Sequence, residues 1–72
     1  MNKEEFIIKL GLKIKAEREN LGFSQQKLAE KSGMSLHYLG CIERATQNAT
    51  ISKLFDISTA LGIDISELLK LE

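Results

Sequence analysis

The sequence predicts an all-α fold of five helices. Proline is absent from its 72 residues, and the points where a helix would stop carry glycine or a polar residue suited to capping. Two such helix starts lie eleven residues apart, at Ser24 and Ser35, with Gly33 between them. They predict two short helices joined by a tight turn, and the other helices would pack around this pair.

The first helix is predicted from about Lys3 to Asn20. Gly11 inside it lowers helix stability by up to about 1 kcal/mol relative to alanine, which predicts a closely packed neighbour. Gly22 is suited to the position that follows a helix C-terminus. An apolar stripe at three- and four-residue spacing marks the side that faces the core: Phe6, Ile7, Leu10 and Ile14.

Residues 24–44 hold the second and third helices, predicted over Gln25 to Ser32 and Leu36 to about Arg44. The two serines are suited to be N-caps, because each side-chain oxygen can accept a hydrogen bond from an unpaired N–H of the first turn. Gly33 can adopt the positive φ of a tight turn. This spacing is that of a DNA-binding helix-turn-helix. Small or apolar side chains are expected to hold the pair together: Ala29, Gly33, Leu39 and Ile42.

A fourth helix is predicted from Ile51 to about Leu61, with Thr50 as its cap and Gly62 at its end. Asp64 and Glu67 have the spacing of a capping box, so a short fifth helix is predicted to about Leu71.

Size and composition limit the other features. One cysteine permits no internal disulfide, and no cysteine–histidine cluster predicts a metal site, so neither a metal nor another cofactor is expected. The N-terminus lacks the pattern of a signal peptide, and no apolar run approaches the roughly 18 residues of a membrane span. We therefore expect a soluble, cytoplasmic protein with no membrane partner.

The net charge is zero but unevenly distributed. Residues 1–54 carry nine basic and six acidic side chains, a balance of +3, whereas residues 55–72 carry one basic and four acidic side chains, a balance of −3. A basic segment followed by an acidic one is consistent with a domain that binds phosphate groups through its basic part. The alternative is that these charges simply form an ordinary solvated surface.

Several residues along the chain have the pattern of a known family: Arg18, Phe23-Ser24-Gln25, Leu28-Ala29, Gly33, Ile42-Glu43-Arg44, Leu54, Ile57 and residues 60–63. With these residues, the chain from about Leu10 to Leu69 resembles the phage-repressor/Cro-type helix-turn-helix domains of bacterial and phage transcription regulators. Within that family it is most similar to the small controller proteins of restriction–modification systems, through Tyr38, residues 42–44 and residues 48–50.

The resemblance implies roles for individual residues. Arg18 and Glu43 would form an ion pair that ties the first helix to the end of the third, with little net stabilisation after desolvation. Contacts to the DNA backbone are implied at the start of the second helix and just after the third: Ser24, Gln25, Arg44 and Asn48. For the first two of these, simple helix capping is the alternative.

The third helix would enter the major groove, where its N-terminal part contacts base edges. The expected base contacts are Ser35, Leu36, His37, Tyr38 and Cys41. Relatives often carry glutamine or arginine where Leu36 and His37 stand. We therefore expect few direct hydrogen bonds to bases, and we expect DNA shape to account for more of the specificity. Ala45 replaces a glycine commonly found just after this helix, which predicts a slightly strained exit turn.

Other interpretations exist for three of these residues. His37 and Cys41 are one helical turn apart and could present two metal ligands, or a base and a thiol. No third group accompanies them, so neither a metal site nor catalysis is expected. A redox switch at Cys41 is a further alternative. Tyr38 could lie at the edge of the core.

The C-terminal part, residues 51–72, carries more apolar side chains than the core needs: Phe55, Ile65, Leu69 and Leu71. They would either close the underside of the helix bundle or form the seam of a symmetric dimer. The dimer is favoured, because a single module makes few contacts to DNA and two modules bind more tightly through effective concentration.

The sequence therefore predicts one domain, residues 1–72, that is a non-enzymatic, sequence-specific transcription regulator. Its expected partners are a double-stranded DNA operator and a second copy of itself, with RNA polymerase as a further candidate. The alternative is a protein-binding module, an antitoxin or antagonist subunit that holds its partner through the apolar C-terminal helices. An enzyme is disfavoured, because one histidine and one cysteine cannot supply a nucleophile, a base and an orienting group.

Overall fold

A computed structural model describes residues 1–71; Glu72, the last residue of the predicted dimerisation segment, lies outside the described residues. The chain forms five helices, and residues 1–71 contain no strand. The all-α, five-helix prediction is confirmed. The helices are α1 (Lys3–Asn20), α2 (Gln25–Ser32), α3 (Leu36–Glu43), α4 (Ile51–Leu61) and α5 (Ile65–Leu68).

Polar side chains begin the helices where the sequence predicts caps. The Oγ atoms of Ser24 and Ser35 accept hydrogen bonds from first-turn N–H groups at 3.0 Å, and Thr50 Oγ1 does the same for α4 at 3.1 Å. Asn2 caps α1 in the same way at 2.8 Å, which the sequence analysis missed. These bonds satisfy donors that have no partner within the helix.

The prediction that α5 extends to about Leu71 is wrong, because the helix ends at Leu68. Asp64 Oδ1 accepts from the N–H of Ser66 at 2.9 Å, not from that of Glu67 as a capping box requires. Lys70 N–H then donates to the carbonyl three residues back, on Glu67, at 3.2 Å. This tighter bond closes the last turn and ends the helix.

The core lies between all five helices, with α2 packed on α4 and α1 packed on α3. Its members are apolar: Leu10, Ile14, Leu28, Ala29, Leu39, Ile42, Leu54, Ile57, Leu61 and Leu68. The apolar stripe predicted on α1 is narrower than expected, since Ile7 is half-buried and Phe6 is exposed. Phe6 borders a shallow groove beside Ala49, so the first turns of α1 cover the core only in part.

The close neighbour predicted for Gly11 is the C-terminal end of α3. A Cβ atom at this position would lie 2.6 Å from the carbonyl oxygen of Ile42 and 2.7 Å from that of Glu43. Both are backbone atoms that cannot rotate away, so only glycine permits this crossing of α1 and α3. The crossing brings the side chain of Arg18 onto Glu43.

The exit from α3 has the strain that the sequence predicts. Ala45 adopts a φ of 62°, whereas the other positive φ values in residues 1–71 belong to glycines. An alanine in this left-handed region costs about 1 kcal/mol, because its Cβ approaches the following carbonyl oxygen. Gly33, between α2 and α3, has a φ of 67° without that cost.

Candidate nucleic-acid interface

A buried ion pair joins α1 to the end of α3. Arg18 Nε donates to Glu43 Oε2 at 2.8 Å, and Arg18 Nη2 donates to Glu43 Oε1 at 3.1 Å. Arg18 Nη1 also donates to the carbonyl oxygen of Phe23 at 2.9 Å. Hydrogen bonding to Glu43 raises the pKa of Arg18 above its ordinary value, although burial acts in the opposite direction. The pair thus fixes α1, α3 and the chain just before α2 relative to one another.

Gln25 belongs to the same network. Its Nε2 donates to Glu43 Oε1 at 3.0 Å, which sets the orientation of the side-chain amide at the start of α2. An amide nitrogen carries two N–H donors, so one of them remains available to an oxygen atom outside the protein. Ser24 is exposed beside it, and its Oγ already accepts from Lys27 N–H, so its hydroxyl proton is free to donate. Together with the first N–H groups of α2, these donors suit an anion.

The N-terminal turn of α3 is open to solvent. Ser35, Leu36 and His37 are exposed, with Leu36 presenting 48% of its surface. Tyr38 differs, because its ring packs against the core while its hydroxyl donates to the carbonyl oxygen of Asn48 at 3.3 Å. The bond ties α3 to the exposed loop that carries Asn48. Tyr38 therefore lies at the edge of the core, with part of its ring beside the open turn.

Cys41, which the sequence predicts to contact bases, is buried, with 7% of its surface exposed. His37 Nε2 lies 3.6 Å from Cys41 Sγ, and Arg44 Nη2 donates to the same sulfur at 3.8 Å. The structure brings His37, Cys41 and Arg44 together, with His37 and Arg44 on the outside.

Gly40 and Lys15 adjoin this surface, and the sequence analysis assigned neither a role. A Cβ atom on Gly40 would lie 2.9 Å from Arg44 Nη1, so the arginine lies across the glycine. Lys15 borders a shallow groove that also contains Gln25, Glu43 and Arg44. The sequence did indicate a role for Gly40. A glycine inside a short helix lowers helix stability, so its presence suggests that the absence of a side chain is needed there.

Comparison with known proteins identifies the architecture. The sequence pattern described as Helix-turn-helix, HTH_3, matches residues 14–68. The chain belongs to the helix-turn-helix family. The family predicted from the sequence is therefore confirmed.

Relatives of this helix-turn-helix protein include regulators of several kinds. The immunity repressor protein of Bacillus phage phi105 is 42% identical over 57 residues, covering 79% of this chain and 40% of the repressor. The restriction-modification controller protein C.AhdI from Aeromonas hydrophila has a similar crystal structure, with a TM-score of 0.85, 34% identity, and coverage of 86% of this chain and 94% of that one. SinR in complex with DNA gives a TM-score of 0.80 and 39% identity over 85% and 98% of the two chains. The chain spans 40%, 66% and 55% of the length of three curated relatives that it matches.

The four residues predicted to form the dimer seam of this helix-turn-helix protein lie in different settings. Phe55 is exposed by 59% and borders a groove beside the α2–α3 turn. Ile65, Leu69 and Leu71 are half-buried against the core, and Leu71 borders another groove beside α1. Three of these residues therefore help to close the bundle, and one faces solvent. Ile51, one turn before Phe55, is exposed by 68% and extends the exposed patch.

Two further observations concern the described part of the chain. Across residues 1–71 no three histidine, cysteine, aspartate or glutamate side chains come together as a metal site would require. Among the same residues, none of the helices has both the length and the apolar character to cross a bilayer.

Proposed function

We propose that the protein is a sequence-specific transcription regulator that binds double-stranded DNA as a homodimer. The observation that carries the proposal is the Arg18–Glu43–Gln25 network, which holds the start of α2 against the C-terminal end of α3. One N–H of Gln25 is left for a phosphate, and the N-terminal turn of the same α3 is exposed. The names of the relatives, a phage repressor, a controller protein and a regulator in complex with DNA, support the same function.

In this function, α3 enters the major groove, and its first turn contacts base edges through Ser35, Leu36 and His37. Leu36 offers only an apolar surface, which matches the methyl group of thymine. His37 can form one hydrogen bond to a base edge. Tyr38 contributes the exposed part of its ring. Cys41 lies beneath this surface and does not reach the bases, because it is buried.

Phosphate contacts fix the position of α3 in the groove. Gln25 and Ser24 donate from the start of α2, and Asn48 is exposed in the loop after α3. Lys15 adds a positive charge to the groove that contains Gln25, so it extends the phosphate-binding surface onto α1. Lys70 lies on another side of α1, beside Lys9 and Leu71, and contacts no phosphate in this arrangement.

The dimer follows from the weakness of a single module and from the exposed patch of Ile51 and Phe55 on α4. Two apolar side chains one turn apart suit a symmetric contact between identical helices. A two-fold dimer would place its α3 helices about one DNA turn, roughly 34 Å, apart. More specifically, we propose that the protein is a controller protein of a restriction–modification system. It acts in the cytoplasm and contacts RNA polymerase at its promoter.

The test is selection of bound duplexes from a random pool, followed by fluorescence-anisotropy titration of a selected duplex at several salt concentrations. We expect log K to fall linearly with log salt concentration. Lys15→Gln should reduce the magnitude of the slope by about one, and the matched variant Lys70→Gln should leave it unchanged. Failure of any duplex to bind at low salt would exclude the proposed function. Sedimentation of Phe55→Lys tests the dimer, since a monomeric variant is expected.

A further inference from the structure

The side chain of Arg44 turns back along α3, the helix that it follows. Its Nη1 lies 2.9 Å from the point where a Cβ of Gly40 would stand, and its Nη2 donates to Cys41 Sγ at 3.8 Å. The guanidinium therefore lies one turn back along α3, on the side opposite the buried Leu39. From its own Cα at the end of α3, the side chain is directed towards the N-terminal turn.

That surface is otherwise poor in groups that distinguish bases. Leu36 has no hydrogen-bonding atom, and Ser35 Oγ, which accepts from Tyr38 N–H at 3.0 Å as the cap of α3, has one hydroxyl proton left to donate. His37 Nε2 is directed at the sulfur of Cys41, at 3.6 Å. A guanidinium, by contrast, matches the O6 and N7 atoms of guanine with two parallel N–H donors.

We infer that Arg44 is a specificity-determining residue that contacts a guanine in the major groove, and that Gly40 is required because its missing side chain leaves room for the guanidinium. This inference rests on the proposed DNA-binding function. It assigns Arg44 to base contact, where the sequence resemblance implied a contact to the DNA backbone. Cys41 and His37 hold the guanidinium in place: the sulfur accepts one of its N–H groups, and the imidazole packs on the same sulfur.

The experiment compares the base preferences of variants, because a phosphate contact and a base contact differ in this measurement. Duplexes are selected with the wild-type protein, and each base pair of the selected site is then substituted in turn. For Arg44→Gln we expect the preference for guanine at one position of each half-site to disappear. Affinity for the selected site should fall roughly tenfold or more, while affinity for duplexes that lack this guanine should change little.

Gln25→Ala is the matched control, since Gln25 is proposed to contact phosphate. It should weaken binding to all duplexes by a similar factor and keep the base preferences. If Arg44→Gln behaves like this control, Arg44 contacts the backbone and the inference is overturned. A wild-type site without guanine would also overturn it, whereas the proposed function would stand because DNA is still bound.

Gly40→Ala tests the part played by the glycine without removing the arginine. The atoms nearest to the methyl group belong to the mobile end of the Arg44 side chain, so the fold is expected to survive. Alanine is also favoured over glycine inside a helix, so the thermal midpoint should be unchanged or higher. We expect loss of preference at the same base pair as for Arg44→Gln. Unaltered preference in Gly40→Ala would show that the glycine is not needed for base contact.

Discussion

The crossing of α1 over α3 at Gly11 can be tested by replacing this glycine with alanine. An alanine Cβ would lie 2.6 Å and 2.7 Å from two backbone carbonyl oxygens of α3, whereas ordinary contacts begin at 3.4 Å. The two helices would have to separate by about 0.8 Å at this point, and overpacking of this kind costs about 1–3 kcal/mol. Alanine recovers about 1 kcal/mol through its higher helix propensity. Because both clashing atoms belong to the backbone, we expect a cost in the upper part of this range, about 2–3 kcal/mol, and hence a net loss of about 1–2 kcal/mol in the free energy of unfolding.

Urea denaturation followed by circular dichroism measures this loss, and a thermal scan should show a midpoint lower by roughly 5–15 °C. The control is Ala16→Gly, at an exposed position of the same helix, where propensity acts alone and costs about 1 kcal/mol. Propensity alone would make Gly11→Ala more stable than the wild type. An equal or higher stability of Gly11→Ala would therefore refute the close crossing of α1 and α3.

Three further predictions concern single interactions. Ala45→Gly should raise the free energy of unfolding by roughly 0.5 kcal/mol, because it relieves a positive φ; a lower urea midpoint would contradict this. Arg18→Met should lower the free energy of unfolding by about 3 kcal/mol, because the substitution leaves the Glu43 carboxylate buried without its partner. The double variant Arg18→Met with Glu43→Leu should recover most of this loss. Hydrogen bonds from Ser66 lower the pKa of the Asp64 carboxyl below its ordinary value of 3.8. The ionised carboxylate therefore stabilises the folded state above about pH 3.8, and this contribution is lost as the pH falls through the lower pKa of the folded state. The urea-midpoint difference between the wild type and Asp64→Asn should therefore shrink below about pH 4, and a constant difference would contradict the assignment.

Much of the fold was predictable because its determinants are local in sequence. A cap requires only a side-chain oxygen and an N–H group two or three residues away, so Ser24, Ser35 and Thr50 marked the helix starts correctly. The strain at Ala45 was predictable only through the family resemblance, because related proteins commonly carry a glycine at this position. The end of α5 could not be predicted, because it depends on whether the last turn forms a hydrogen bond to the carbonyl three residues back.

The site was only partly predictable, because its contacts depend on long side chains from other positions. A helical projection placed Cys41 on the outer side of α3, but it does not show that His37 and Arg44 cover the sulfur. The apolar residues near the C-terminus were recognised as a group, whereas only the packing of α4 and α5 shows that Phe55 is exposed and Leu69 is half-buried. Such outcomes depend on tertiary packing, which the periodicity of one helix does not contain.

The arrangement of the site separates the stability of the fold from base preference. Gly11, Arg18 and Glu43 lie at one crossing, so a change there should alter both the stability of the fold and the position of Gln25. Gly40 and Arg44 lie on the outer side of α3, where a change should alter base preference and leave stability intact. Variation at the second pair could therefore change the operator sequence without weakening the fold, while the first group is constrained by packing. The described residues share one core, and placing the proposed base-contacting arginine on a glycine outside that core keeps the two requirements apart.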